Sequence, residues 1–400
     1  MRMKNGNVGA CRFAVPRFTS ALIYLFCVAC GSGGDHAERA PLRGAVAVAC
    51  GYKTACAVLS DGTVACWGAN GNGELGHGPL PGANVNVGVP TAGLVPNLHD
   101  VTSVTLGFVH VCALRSDATV VCWGSGGVGQ LGDGRKVQSV DPVRVVGLDG
   151  VEAIAAGDFH TCALLKSGAV WCWGRNHRDQ LEAGPSITAE DNAVPVQVVD
   201  LTDAVWAAAG DVNTCAVRAS GEVVCWGDAT AGALGTACTG RDCYPSNVPV
   251  AVGVSNAVAV VEGYRFGCAL LQDHTVSCWG DNGEGQTGQP PSMPHLVTPV
   301  AGLTRVVSIT ASNSAACALL EGGDVRCWGS VPSADLSPHA ASPTPVAPPD
   351  LPAAVAVSIG SDNACAVVGG GGVMCWGENV VGQLGDGTMT GSLVPVEVTW

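Results

Sequence analysis

The chain has 400 residues, among them 20 cysteines and 56 glycines, with 19 basic against 33 acidic side chains and a formal net charge of -14. So many cysteines argue against a reducing cytosol, and abundant glycine with only 13% charged residues argues for many tight turns between apolar segments. An acidic surface of this kind disfavours DNA, RNA and anionic lipid headgroups as general partners.

In chain order, the first element is an export signal. Arg2, Lys4, Arg12 and Arg17 supply positive charge with no acidic residue before Ser20, and the apolar run ALIYLFCVA follows from Ala21 to Ala29. Residues 1–29 are therefore expected to form a signal peptide of the lipoprotein type. The run is too short for a membrane-spanning helix, and no later stretch stays apolar for the roughly 20 residues that a span requires. The sequence CVAC followed by GSGGD resembles the lipobox of bacterial lipoproteins. That resemblance implies lipidation of Cys30 and an N-terminal membrane anchor, with simple secretion as the alternative. Residues 30–41 then read as a polar linker and 42–400 as the folded domain, placed in the bacterial cell envelope or outer membrane, or free outside.

From residue 42 onward the chain repeats. The stretches TACAVLSDGTVACWG, HVCALRSDATVVCWG, HTCALLKSGAVWCWG, NTCAVRASGEVVCWG, FGCALLQDHTVSCWG, AACALLEGGDVRCWG and NACAVVGGGGVMCWG are seven copies of one motif. Units of this length are single supersecondary motifs that cannot bury a face alone. Within a copy the apolar residues alternate around a turn, which predicts a β-hairpin. If Cys162 faces Cys172, then Lys166, Ser167 and Gly168 form a three-residue loop, with Gly168 in the left-handed position that glycine enters without penalty. Ala118 and His274 stand there in two copies, so those turns are expected to be strained or different. The register places the cysteines on a non-hydrogen-bonded pair with Cα atoms about 4.5 Å apart, within reach of a disulfide. The expected bonds are Cys56 to Cys66, Cys112 to Cys122, Cys162 to Cys172, Cys215 to Cys225, Cys268 to Cys278, Cys317 to Cys327 and Cys365 to Cys375. A structural zinc reading lacks the four clustered ligands, and a redox reading lacks Cys-x-x-Cys spacing. Free buried thiols are the outcome if the chain is not exported. No metal and no cofactor is expected.

A second signature follows each hairpin, clearest as CWGENVVGQLGDG from Cys375 to Gly387. Trp67, Trp123, Trp173, Trp226, Trp279, Trp328 and Trp376 are placed to fill space between neighbouring sheets. With the Pro-containing β-rich run beyond, each unit supplies about four strands, and four-stranded units repeated radially make a propeller. The combination of HTCAL, CWG, GQLGDG and DPV resembles the repeat of the RCC1 (regulator of chromosome condensation) family. The resemblance covers roughly Leu42 to Trp400 and implies an all-β, seven-bladed propeller closed by the N- and C-terminal segments. The stretches RNHRDQLEAG, DATAGALG and SVPSADLSPHA depart from the motif. SLVPVEVTW at the C-terminus and AVAVACGYKTACAV at the start read as complementary halves. The last strand is therefore expected to join the sheet of the first hairpin.

Functional residues on a repeat scaffold are sought where copies differ. The insertion GTACTGRDCYP, Gly235 to Pro245, carries a possible extra disulfide between Cys238 and Cys243, which would present Arg241, Asp242 and Tyr244 to a partner. Further long connections run over 79–99, 183–194 and 287–295, with no common face assigned. His110 and His160 share a position and read as structural, Asp133 and Asp386 read as turn residues, and Cys50 reads as a buried free thiol. No catalytic motif is recognised, so enzymatic chemistry is not the leading expectation. Chromatin-associated members of the family act in nucleotide exchange on a small GTPase, a role that export and acidity disfavour. Secreted bacterial relatives bind proteins. The expected function is an exported protein-interaction module whose propeller-face loops bind an envelope or extracellular protein. The alternatives are a polysaccharide-active enzyme or a structural envelope protein.

Overall fold

A hairpin with apolar residues on both faces needs a neighbour on each side, and seven four-stranded antiparallel sheets set around one axis supply them. The computed structural model describes residues 39–77, 88–181, 190–236, 243–291, 295–331 and 340–400. Every sheet is a meander in chain order. In blade one the strands are Ala45–Cys50, Thr54–Leu59, Val64–Ala69 and Gly88–Leu94. First strands of neighbouring blades touch one another all the way round, which places them beside the axis and the fourth strands outermost. Second strands such as His110–Arg115 and His160–Leu165 are buried almost end to end, because a neighbouring sheet covers each of their faces. Among the described residues no helix is long and apolar enough to cross a membrane.

The hairpin register is the one the cysteines predict. Cys162 faces Cys172 and Leu164 faces Val170. Leu165 donates to the Ala169 carbonyl at 2.9 Å and Gly168 to the Leu165 carbonyl at 2.9 Å, with Gly168 at φ +84°. Ala118 and His274 adopt the same left-handed conformation, each at φ +64°, so their turns keep the common geometry and accept the steric strain of a Cβ there. All seven hairpin disulfides close, with Cα separations of 4.0 to 4.1 Å. Cys243 is also disulfide-bonded, and Cys50 is buried and free. Cys30, Cys238, Arg241 and Asp242 lie outside the described residues.

The tryptophans join blades by direction as well as by packing. Trp67 donates its indole N–H to the Gln383 carbonyl, Trp123 to Glu74, Trp173 to Gln130, Trp226 to Gln180, Trp279 to Ala233 and Trp328 to Gln286, at 2.8 to 3.1 Å. Each bond reaches back to the preceding blade, and all six rings are fully buried. Trp376 is buried as well, and the stretch that would face it falls partly in 332–339, outside the described residues.

The N- and C-terminal segments of the propeller close the ring as expected, but the last strand does not join the sheet of the first hairpin. The last strand, Ser392–Glu397, pairs with Gly372–Gly377 of its own blade, while blade one completes itself with Gly88–Leu94. The Pro-containing strand therefore belongs to the hairpin before it in every blade, and no blade is left with an orphan half. The two ends of the propeller meet through a shorter link, in which Leu42 donates to the Val398 carbonyl at 2.8 Å and Trp400 to Ala40 at 2.9 Å, while Ala92 of blade one donates to Thr399 at 2.8 Å.

Candidate functional site

A four-stranded meander puts its first and third connections at one end and its second at the other. The expected insertion, the long connections over 183–194 and 287–295, and the part of 79–99 that precedes Gly88 all join third to fourth strands, so they leave and re-enter on one face. The same face carries the seven short turns between first and second strands. Each turn is closed by the N–H of a residue five before the first cysteine of the hairpin pair. Gly51, Gly107, Gly157, Gly210, Gly263, Ser312 and Gly360 donate to the carbonyl three residues on, at 2.7 to 2.9 Å.

Six of these seven residues are glycine because the blades converge there. A Cβ on Gly157 would sit 2.0 Å from the Gly210 carbonyl oxygen, one on Gly263 2.2 Å from that of Ser312, and one on Gly360 2.3 Å from that of Gly51. Gly51, Gly107 and Gly210 meet the next ring carbonyl at 2.4 to 2.7 Å. This closed ring narrows the axis to a cavity of about 80 Å³. Alignment of the copies from the cysteines outward shows the recurrent glycine, but its cause is the approach of the next blade.

The turn tips differ from blade to blade, and three of them form a row. Tyr52 stacks on Phe108 with centroids 4.1 Å apart, and Phe108 lies 5.5 Å from Phe159. The Arg175 guanidinium lies 4.1 Å from the Phe159 centroid and Lys53 Nζ 5.2 Å from that of Tyr52, so cations sit at both ends of the row. Across the mouth Arg265 covers Tyr264 at 4.6 Å, with its Nε 3.3 Å from the buried carboxylate of Asp228. Beside the row a cleft of about 540 Å³ opens between blades one, two and seven.

The axial cavity also holds a carboxyl pair. Asp158 and Asp211 occupy the same turn position in adjacent blades and hydrogen-bond to each other. Burial, and then the neighbouring Asp211 charge, push Asp158 up to about 8, with Arg175 opposing.

Below the ring, four of the seven residues that stand two before a first cysteine, His110, His160, Asn213 and Asn363, tie blade to blade. His110 Nε2 lies 2.9 Å from Thr161 Oγ1, and His160 Nε2 lies 2.9 Å from Thr214 Oγ1. Asn213 donates to Glu262, and Asn363 Nδ2 points at the Gln383 carbonyl and Cys50 Sγ. Burial holds His110 down to about 4 and His160 down to about 3, and pushes Glu262 well above the usual carboxylate range. Both histidines are thus neutral structural links. Glu262 lies close to Cys215 and Cys225, but their disulfide removes both thiolates, so this trio holds no metal. Asp133 and Asp386 are turn residues, accepting from the N–H of Arg135 at 3.0 Å and of Thr388 at 2.9 Å. Tyr244 is 76% exposed, at the edge of the blade-four insertion on the same face as the aromatic row.

Comparison with known proteins gives a consistent picture. The family described as "Regulator of chromosome condensation (RCC1) repeat" matches residues 45–74, 101–130, 151–180, 256–286, 306–330 and 354–383, and a second description of the same repeat matches 117–164 and 167–217. Together they cover more than half of the chain. The probable E3 ubiquitin-protein ligase HERC6 of Homo sapiens is 29% identical over 250 residues, 61% of this chain and 19% of that protein. The ultraviolet-B receptor UVR8 of Arabidopsis thaliana is 28% identical over 261 residues, 64% of this chain and 58% of that protein. The match therefore spans less than two thirds of either relative. The crystal structure of Prp20p from Saccharomyces cerevisiae superposes with a TM-score of 0.73 at 23% identity, covering 86% of this chain and 87% of that one, a likeness of fold.

Proposed function

Because this chain belongs to the RCC1 repeat family and its repeat-breaking connections gather on one face, we propose that it is an exported protein-interaction module binding an envelope or extracellular protein through that face. The observation that carries the reading is the row from Lys53 and Tyr52 through Phe108 and Phe159 to Arg175, built from positions where the copies differ. Packed aromatics and arginine are the residues on which protein interfaces concentrate their binding energy. Prp20p has binding properties to Gsp1p and histones, which supports the propeller as a protein-binding scaffold. Arg241, Asp242 and Tyr244 would add contacts at the edge of the same face.

Seven disulfides fit an oxidising, extracellular setting. With the N-terminal charge and apolar run, they support removal of residues 1–29, lipidation of Cys30, and a tether at 30–41 that carries the domain from 42 to 400. Replacing Cys30 by Ala should abolish incorporation of a labelled fatty acid, and retained label would sink the anchor. The polysaccharide-active alternative has a carboxyl pair to draw on, but Asp158 and Asp211 are in hydrogen-bonding contact. Glycoside hydrolysis holds its two carboxyl groups roughly 5 to 9.5 Å apart to admit a sugar carbon or a water.

Crosslinking on intact cells tests the binding reading, with wild type set against the double variant Phe108→Ala/Phe159→Ala. One stable partner retained by wild type and lost by the variant is the expected result. Equal capture by both, or turnover of a hydrolase or lyase substrate, would overturn it.

A further inference from the structure

The cleft of about 540 Å³ beside the aromatic row has a size and lining that specify its occupant. A space of this volume takes a few side chains rather than a domain surface. One wall is made of Tyr52 and Phe108, already stacked on each other, so it loses little freedom when something packs against it. The opposite wall carries Val380, which is 60% exposed, in the third-to-fourth strand connection of blade seven. What distinguishes Val380 from the other exposed valines is that it lines the same cleft as the stacked Tyr52 and Phe108 rings, so the three make one apolar lining.

Charge selects the rest. Lys53 stands at the rim over the Tyr52 ring, and Arg175 stands at the far end of the row. Among the described residues neither side chain closes an ion pair within 4.0 Å. The one carboxyl group in the cleft, Glu74, is 4% exposed, accepts from the Asn72 N–H, and is pushed by burial toward its neutral form. Within the cleft the accessible charge is therefore that of Lys53, on a chain whose net charge is -14, while Arg175 at the far end of the row already faces the Asp158 carboxyl. A cation recurs at the Lys53 position only as Arg265, which is engaged by Asp228; Val109, Phe159, Val212, Ser314 and Asp362 stand there in the other blades.

From this geometry, and resting on the binding-face reading above, we infer that the cleft is the docking point for an extended acidic segment of the partner protein bearing one large apolar side chain. That side chain enters between Val380 and the Tyr52–Phe108 wall. The carboxylates beside it meet Lys53. Complementary charge of this kind sets orientation and selects against basic competitors.

Panning the full chain against a display library of random dodecapeptides tests the inference without knowledge of the natural partner. Enriched peptides should pair an aromatic or large aliphatic residue with adjacent Asp or Glu. Lys53→Glu should weaken them about tenfold and turn the selection toward Lys and Arg, and Val380→Asp, at an exposed site, should weaken them by at least as much. Lys166→Ala, at an exposed turn on the opposite face, should leave them bound, and circular dichroism with disulfide mapping confirms that each variant is folded. Failure to enrich any peptide, enrichment of basic or uncharged ones, or unchanged binding to Lys53→Glu and Val380→Asp would overturn the inference, as would binding of neutral oligosaccharides in the cleft. The two readings fail separately. A cellular partner kept by Val380→Asp but lost by Phe108→Ala/Phe159→Ala removes the cleft and leaves the face, whereas equal capture by that double variant removes the face itself.

Discussion

The glycine ring makes a strong mechanical claim, and Gly157→Ala tests it. The added methyl would lie 2.0 Å from the backbone oxygen of Gly210, which cannot swing away as a side chain could. Restoring an ordinary contact of 3.4 Å requires blades three and four to separate by about 1.4 Å at the axis, and overpacking of this kind costs about 1–3 kcal/mol. The same displacement lengthens the hydrogen bond from the Asp158 N–H to the Gly210 carbonyl, already 3.3 Å, and its loss adds about 1 kcal/mol. The expected destabilisation is therefore about 3 kcal/mol. Two other glycines separate the contributions. At Gly147 an added methyl would meet nothing within 4 Å, but the residue sits at φ +71°, so alanine there should cost about 1 kcal/mol from backbone strain alone. Gly127 has open space and no left-handed φ, so alanine there should be neutral or slightly stabilising. Urea unfolding followed by tryptophan fluorescence would rank the three midpoints. If Gly157→Ala unfolds no earlier than Gly127→Ala, close approach is not the reason for the ring.

Proton linkage gives a second test, with opposite signs at two sites. Asp158 is held up to about 8, so its contribution is full below the unfolded value of about 4 and is lost as pH rises through 8. Asp158→Asn should gain stability relative to wild type as pH rises from about 4 to about 8, and a constant difference would show that the fold does not hold Asp158 protonated. His110 and His160 are held down to about 4 and about 3, so their contribution is full above about 6.5 and is lost as pH falls toward those values. His110→Gln should flatten that acid limb in pH-dependent thermal unfolding, and an unaltered limb would refute the assignment. The double variant Cys162→Ala/Cys172→Ala should lose up to about 3 kcal/mol, less if the unfolded hairpin keeps structure, while non-reducing peptide mapping still finds the other pairs. Cys50, pushed up to about 12 by burial, should resist iodoacetamide in the native protein at neutral pH and react once unfolded; equal rates would contradict its burial.

The hairpins were legible because their information is local. Two cysteines that must face each other define the register, and the turn residue between them, Gly168 or its equivalents, confirms the centre of the loop. Strand partnership was not legible at the ends of a blade. Runs such as DPVRVVGLDGVEAIAAG join the outermost strand of one sheet to the innermost strand of the next, and nothing in their composition says which hairpin each half will pair with. That ambiguity produced the misplaced closing strand. The carboxyl pair and the aromatic row were hidden for a related reason. Asp158 and Asp211, or Tyr52 and Phe108, are single departures from the repeat until the ring sets equivalent turns side by side. His110 and His160 read as structural from their shared position, and the ring shows what that role is, a link from each to the next blade.

The tryptophan bonds end on main-chain oxygens, and this gives the protein a particular freedom to vary. A backbone carbonyl is present whatever the side chain, so Glu74 and Ala233 receive the indole of the next blade as well as Gln130, Gln180, Gln286 and Gln383 do. Neighbours can diverge without a matching change across the joint. A duplicated unit inherits both halves of its coupling, a grip on the blade behind and an oxygen for the blade ahead. Its exposed turn is then released to acquire new chemistry one blade at a time.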